Sequence, residues 1–137
     1  MNTLIRITKH SLIPLLFGGL IYVLFRSQSV IMFDWVNAIG MYELINLLKA
    51  YINPNETLIP NWFIYSLPDG LWMYSFVSTL IIANDYKWNK YKYWLLLPIL
   101  FGIGIEFSQL LRLFKGTFAV NELFFYSVGV VLSLLKL

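Results

Sequence analysis

Cysteine is absent from the chain, which excludes disulfides, thiol nucleophiles and cysteine-ligated metals. There is one histidine, His10, and it falls in the N-terminal flank, where an interfacial side chain accounts for it better than a metal ligand or a general base. Glycine-rich phosphate loops, HExxH and any Ser–His pair with usable partners are also missing. Asp69-Gly70 alone is no phosphotransferase signature. No catalytic residue is therefore assigned, and neither a metal nor another cofactor is expected. Charge is scarce as well. Asp, Glu, Lys and Arg make up 12% of the residues, against about 25% in a typical soluble domain. So few charges cannot cover a water-facing surface. The lysines and arginines punctuate apolar segments and form no stripe, which argues against nucleic acid and for positive charge at membrane ends.

What fills the chain is apolar and aromatic: 59% and 18% of 137 residues. Lipid is the natural solvent for such a composition, and Trp and Tyr gather at bilayer interfaces. The expectation is one integral membrane domain, residues 1–137, with an all-α fold: a polytopic helical bundle of about four transmembrane helices plus one interfacial or packed helix.

The first expected span covers residues 11–26, flanked by Arg6 and Lys9 before and closed by Arg26, whose long side chains can snorkel from each end. A cleaved signal peptide is the competing reading, with Ser27 and Ser29 as small cleavage-site residues, but Arg26 directly after the apolar run opposes it. Residues 30–51 carry Asp34, Asn37, Glu43, Asn46 and Lys49, a polar series recurring every three residues. At 100° per residue this stripe winds around a helix, so the segment is read as an interfacial or packed helix, with a fifth span as the alternative. A proline-rich loop follows, through Pro54, Pro60 and Pro68. The second span, residues 70–84, has Asp69 just before it, where a carboxylate caps a helix and meets its dipole. The third, residues 93–112, contains Pro98, expected to kink it, and Gly102 and Gly104, expected to permit close contact. The fourth covers residues 117–136.

Alternating these spans puts Arg6, Lys9, Lys87, Lys90, Lys92 and Lys136 on one side, and Arg26, Lys49, Arg112 and Lys115 on the other. The excess favours both termini in the cytoplasm.

A carboxylate in mid-membrane costs about 2.5–3.5 kcal/mol on insertion scales, so it normally faces protein or a watery cavity. Glu106 lies inside the third span. Gln109 shares its helix face, and Arg112 closes the helix end. Glu122 lies inside the fourth span, with Tyr126 and Gly129 on its face. At 1.5 Å per residue, both glutamates fall at similar depth below the surface where Asp69 opens its helix. Asp69, Glu106, Gln109, Arg112, Glu122 and Tyr126 therefore form the candidate binding cluster, near the outer leaflet in the orientation above. The bland reading is helix-to-helix hydrogen bonding. The functional readings are a cationic headgroup, a proton relay or a polar ligand.

The chain also resembles a divergent member of the VanZ-like family. Residues 67–76, LPDGLWMYSF, resemble the family's Asp-led helix, with Asp69 in the acidic position. Residues 105–129, IEFSQLLRLFKGTFAVNELFFYSVG, resemble its Glu-x-x-Gln helix, turn and final helix. Glu106 and Gln109 match the pair, Glu122 stands where Asp is usual, and Gly129 matches the glycine. Gly70 replaces a common lysine, Tyr126 occupies the usual Asn position, no histidine follows in the first helix, and the turn reads Gly116-Thr117-Phe118 without the usual Arg. The resemblance covers about the C-terminal half. It implies a multi-pass protein of the bacterial cell membrane, an envelope role connected with antibiotic resistance, and a glycopeptide or lipid-linked ligand; it supplies no reaction. The alternatives are a membrane enzyme acting on a lipid headgroup and a structural or immunity-type membrane partner. Catalysis is left open, with the weight on a non-enzymatic protein whose partners are the lipid bilayer and such a ligand, and not nucleic acid.

Overall fold

A computed structural model of the chain describes residues 2–25, 31–52, 58–113 and 119–137, and these are all-α. We number the helices α1 Thr3–Phe25, α2 Ile31–Ala38, α3 Tyr42–Ile52, α4 Asn61–Tyr65, α5 Leu67–Ala83, α6 Trp88–Tyr91, α7 Leu96–Leu110 and α8 Val120–Lys136.

The first helix starts at Thr3, well before residue 11, because Asn2 caps it and accepts from the Leu4 amide at 3.4 Å. Arg6, Lys9 and His10 thus lie on the helix itself. Residues Thr8–Leu12 widen into a π-helical turn, in which the Ile13 amide donates five residues back to the Thr8 carbonyl. Pro14 gives the physical reason. It has no amide hydrogen, and its ring crowds the carbonyl four residues back, so a wider turn relieves the crowding. At that turn the Ser75 hydroxyl donates to the Ser11 carbonyl at 2.5 Å, and His10 Nδ1 lies 2.5 Å from the Tyr74 hydroxyl. His10 is therefore a half-buried inter-helix contact.

α1 is long and apolar enough to cross a membrane. The apolar helices α5 and α7 are shorter, about 25 and 22 Å at 1.5 Å per residue, against a hydrocarbon core of about 30 Å.

The segment expected as one helix over 30–51 is two helices. Gly40, at φ 74, ends α2; the Gly40 amide donates to Asn37 and the Met41 amide to Val36, the paired bonds of a Schellman stop. The break resets the polar stripe. Phe33 and Ile45 then bury against Val23 of α1, and the Lys49 ammonium covers the Phe33 ring at 4.4 Å. Residue 30 of that segment, like Arg26 and residues 114–118, lies outside the described residues.

α5 is the central helix and packs against both α1 and α8. α1 runs antiparallel to it: Gly18 lies against Pro68 and Trp72 at one end, and Ser11 meets Ser75 further along. α8 runs parallel to it. A β-carbon on Gly129 would lie 2.5 Å from the Gly70 carbonyl oxygen, and Ser133, fully buried, donates to the Tyr74 carbonyl at 3.1 Å. Small residues with buried hydroxyls let these two backbones touch. α7 packs on α5 and α8.

Pro98 produces no kink, because α7 begins at Leu96 and the proline occupies its first turn, where an amide hydrogen has no partner to lose. Gly102 does give close contact, to the Met73 side chain, whereas nothing lies within 4 Å of a β-carbon built on Gly104.

Candidate functional site

Two helix starts and one helix end meet at one end of the bundle. Asp69 and Glu122 each sit in the first turn of their helix, α5 and α8, where a carboxylate is favoured by the unsatisfied amides and the helix dipole. Asp69 is thus inside the first turn rather than ahead of it. The parallel packing of α5 on α8 brings both carboxylates to the same end of the bundle, with the start of α8 nearly two turns beyond that of α5. Glu106 and Gln109 arrive from the last turns of α7.

Between α1, α5, α7 and α8 lies a cavity of about 770 Å³, inside the range of roughly 300–1,000 Å³ typical of small-molecule sites. Asp69, Glu106, Gln109, Glu122 and Tyr126 all line it. Tyr126 lies within electrostatic reach of all three carboxylates. The remaining wall is apolar and aromatic and includes Tyr22, Trp72, Phe76, Pro98, Phe101 and Ile105. Trp72 is fixed from both sides: its indole N–H donates to the Leu15 carbonyl at 3.3 Å, and its ring lies 5.3 Å from the Tyr22 ring.

Glu106 is the most buried of the acidic residues, with no exposed surface. Its Oε2 accepts from the Ala119 amide at 3.3 Å. Ala119 is the N-cap residue of α8 and its own side chain makes no cap bond, so the carboxylate of one helix fixes the entry of the next. The other oxygen, Oε1, is buried without a hydrogen-bond partner among the described residues, as is Gln109 Oε1. Buried polar atoms are nearly always paired. Two acceptors at one cavity end, both without a donor among the described residues, mark a place where a donor is wanted.

Arg112, expected in the cluster, is not among the residues lining the cavity. It is exposed and sits at φ 58 just past the end of α7. The Arg112 amide donates to Gln109 and the Leu113 amide to Ser108. This is the glycine position of a Schellman stop, and it ends α7 at a residue that stands outside the cavity lining.

The walls contributed by α1, together with Trp72 and Phe101, were not singled out from the sequence. Aromatics at 18% of the residues are too frequent for any one of them to signal a ligand wall. The three carboxylates do not close to a metal-sized cluster: among the described residues no group of three or more His, Cys, Asp or Glu is placed to hold a metal ion. No protein-family model matches the chain, and no curated protein and no solved structure is significantly similar to it.

Proposed function

We propose that the chain is a multi-pass protein of the bacterial cell membrane that holds a polar-headed, lipid-like ligand in the cavity between α1, α5, α7 and α8. One observation carries this reading: the cavity is acidic at one end, where Glu106 Oε1 is buried without a partner among the described residues, and apolar elsewhere. The VanZ-like resemblance of residues 67–76 and 105–129 supports an envelope role for it. Of the ligands that resemblance implies, a lipid-linked molecule suits a cavity of about 770 Å³ better than a whole glycopeptide, because this is the volume of a drug-sized site.

Membrane residence is supported by α1 and by the side chains the bundle leaves outside. Leu16 and Phe17 on α1, Leu100, Phe101 and Phe107 on α7, and Phe124 and Leu135 on α8 are all well exposed. A soluble protein rarely carries apolar surface on that scale. The short helices α5 and α7 are accommodated by local thinning of the bilayer. Four crossings place Arg6, Lys9, Lys87, Lys90, Lys92 and Lys136 in the cytoplasm and the acidic end of the cavity at the outer leaflet.

A second reading, a structural partner protein, is favoured by the Glu106–Ala119 bond, which holds α7 to α8. Loss of ligand without loss of folding in Glu106→Gln separates the two.

The absence of native cysteine makes location testable. Single cysteines at Lys90 and at Lys115 are treated in intact cells with an impermeant thiol reagent. Labelling at Lys115 alone is expected. Labelling at Lys90 alone inverts the topology and removes the outer-leaflet role.

A further inference from the structure

We infer that the ligand of this cavity is a primary ammonium amphipath: an apolar tail carrying a protonated amine that offers N–H donors. The inference deepens the reading above and rests on it. The charge follows from the lining. Asp69, Glu106 and Glu122 share one end of the cavity, and among the described residues none that lines it is Lys, Arg or His. A cation placed among them gains attraction to carboxylates in a region of reduced dielectric.

The donors follow from the two orphan acceptors. Glu106 Oε1 and Gln109 Oε1 are buried without a hydrogen-bond partner among the described residues. Glu106 as a whole has no exposed surface, so bulk water does not satisfy it. An ammonium group has three N–H donors and no acceptor, the complement of this end of the cavity. A trimethylammonium head has the same charge and no donor, so it leaves both oxygens unsatisfied. A hydroxyl has a donor and no charge. Among the described residues no group of three or more His, Cys, Asp or Glu is placed to hold a metal ion.

The tail follows from the rest of the wall. Trp72, Phe76, Phe101 and Ile105 continue from the acidic end along the cavity. Phe76 and Phe101 are themselves exposed, so the cavity opens sideways between helices. In the proposed membrane setting that opening meets the acyl region, and a chain passes from lipid into the cavity without crossing water. Tyr22, Trp72 and Tyr126 also line the cavity, and aromatic rings attract cations that meet their faces.

The test uses the full chain in neutral maltoside micelles and three probes of equal tail: octylamine, octyltrimethylammonium and octanol. Saturable change in tryptophan fluorescence and in unfolding temperature is measured at neutral pH. Octylamine is expected to saturate, with the other two probes weaker by about tenfold or more, the worth of a hydrogen bond to a charged group. Glu106→Gln, which keeps an acceptor for the Ala119 amide, is expected to bring octylamine close to octanol. Gln109→Leu gives an intermediate loss and carries the comparison if the first variant does not fold. Equal binding of octylamine and octyltrimethylammonium overturns the requirement for N–H donors. Equal binding of octylamine and octanol overturns the ammonium class while leaving the cavity a ligand site. If none of the three saturates, the cavity reading falls too.

Discussion

Gly70 and Gly129 meet backbone to backbone where α5 crosses α8: a β-carbon on Gly129 would sit 2.5 Å from the Gly70 carbonyl oxygen and 3.0 Å from the Tyr74 amide nitrogen. That crossing positions the acidic end of the cavity. Asp69 precedes Gly70 by one residue, and Glu122 and Tyr126 lie about two turns and one turn before Gly129. The cluster is therefore built beside a backbone-to-backbone helix contact.

Gly129→Ala must separate the two helices, because the atoms met are backbone and cannot rotate away. A loss of about 1–3 kcal/mol is expected, the usual cost of overpacking. Gly104→Ala is the control: its β-carbon meets nothing within 4 Å, and alanine is the better helix former by about 0.5–1 kcal/mol. Reversible denaturant unfolding of the two purified variants checks the pair. Equal midpoints would mean that the α5–α8 crossing is looser than described.

Glu106 has two opposing roles, and substitutions separate them. The carboxylate opposes insertion by about 2.5–3.5 kcal/mol, yet Oε2 holds the Ala119 amide. Glu106→Leu is expected to integrate into membranes at least as well as the parent and to unfold more easily by about 1–3 kcal/mol, the cost of leaving a partly buried donor unpaired. Glu106→Gln retains an acceptor and is expected to unfold like the parent. Membrane-fraction yield reads insertion; denaturant titration reads folding. A leucine variant as stable as the parent would deny the Ala119 contact any structural weight.

The all-helical class was legible because scarce charge and long apolar segments suit a chain whose backbone is satisfied within each segment, as it is in a helix. The meeting of Asp69, Glu106, Gln109, Glu122 and Tyr126 was legible for a different reason. Helical spacing fixes which residues share a face, and alternation of direction fixes which helix ends share a level. Arg112 escaped this logic because its place depends on one backbone dihedral, φ 58, at a position where glycine is the usual residue. The break at Gly40 escaped because a glycine within a helical pattern is compatible with continuing it. The aromatic wall escaped because which face of α1 turns inward is decided by Gly18 admitting Trp72, a contact between helices more than 50 residues apart in sequence.

Arg112 supplies a test of its own. A non-glycine residue in the left-handed region costs about 1 kcal/mol. Arg112→Gly is thus expected to stabilise the protein by about that amount, and to leave octylamine binding unchanged because Arg112 does not line the cavity. Thermal unfolding with and without the amine measures both. A weakened affinity would bring the guanidinium back into the site.

Gly18→Ala tests whether the aromatic wall matters as much as the acidic end. The new β-carbon would lie 2.8 Å from the Trp72 indole nitrogen and 3.2 Å from the Pro68 carbonyl oxygen. The carbonyl belongs to the backbone of α5 and needs to give by only a few tenths of an ångström, whereas the indole is closer still and is the far end of a side chain. Trp72 is therefore the group that gives. As it moves, its donor bond to the Leu15 carbonyl and its contact with Tyr22 are disturbed together, and the wall shifts into the cavity. Octylamine affinity is expected to fall by about 1 kcal/mol or more, within the usual range for an added methyl in a packed site, with the three carboxylates untouched. The emission maximum of tryptophan should shift in the same variant. An altered spectrum with unchanged affinity would place the bound tail elsewhere in the cavity, on the α7 side formed by Pro98, Phe101 and Ile105.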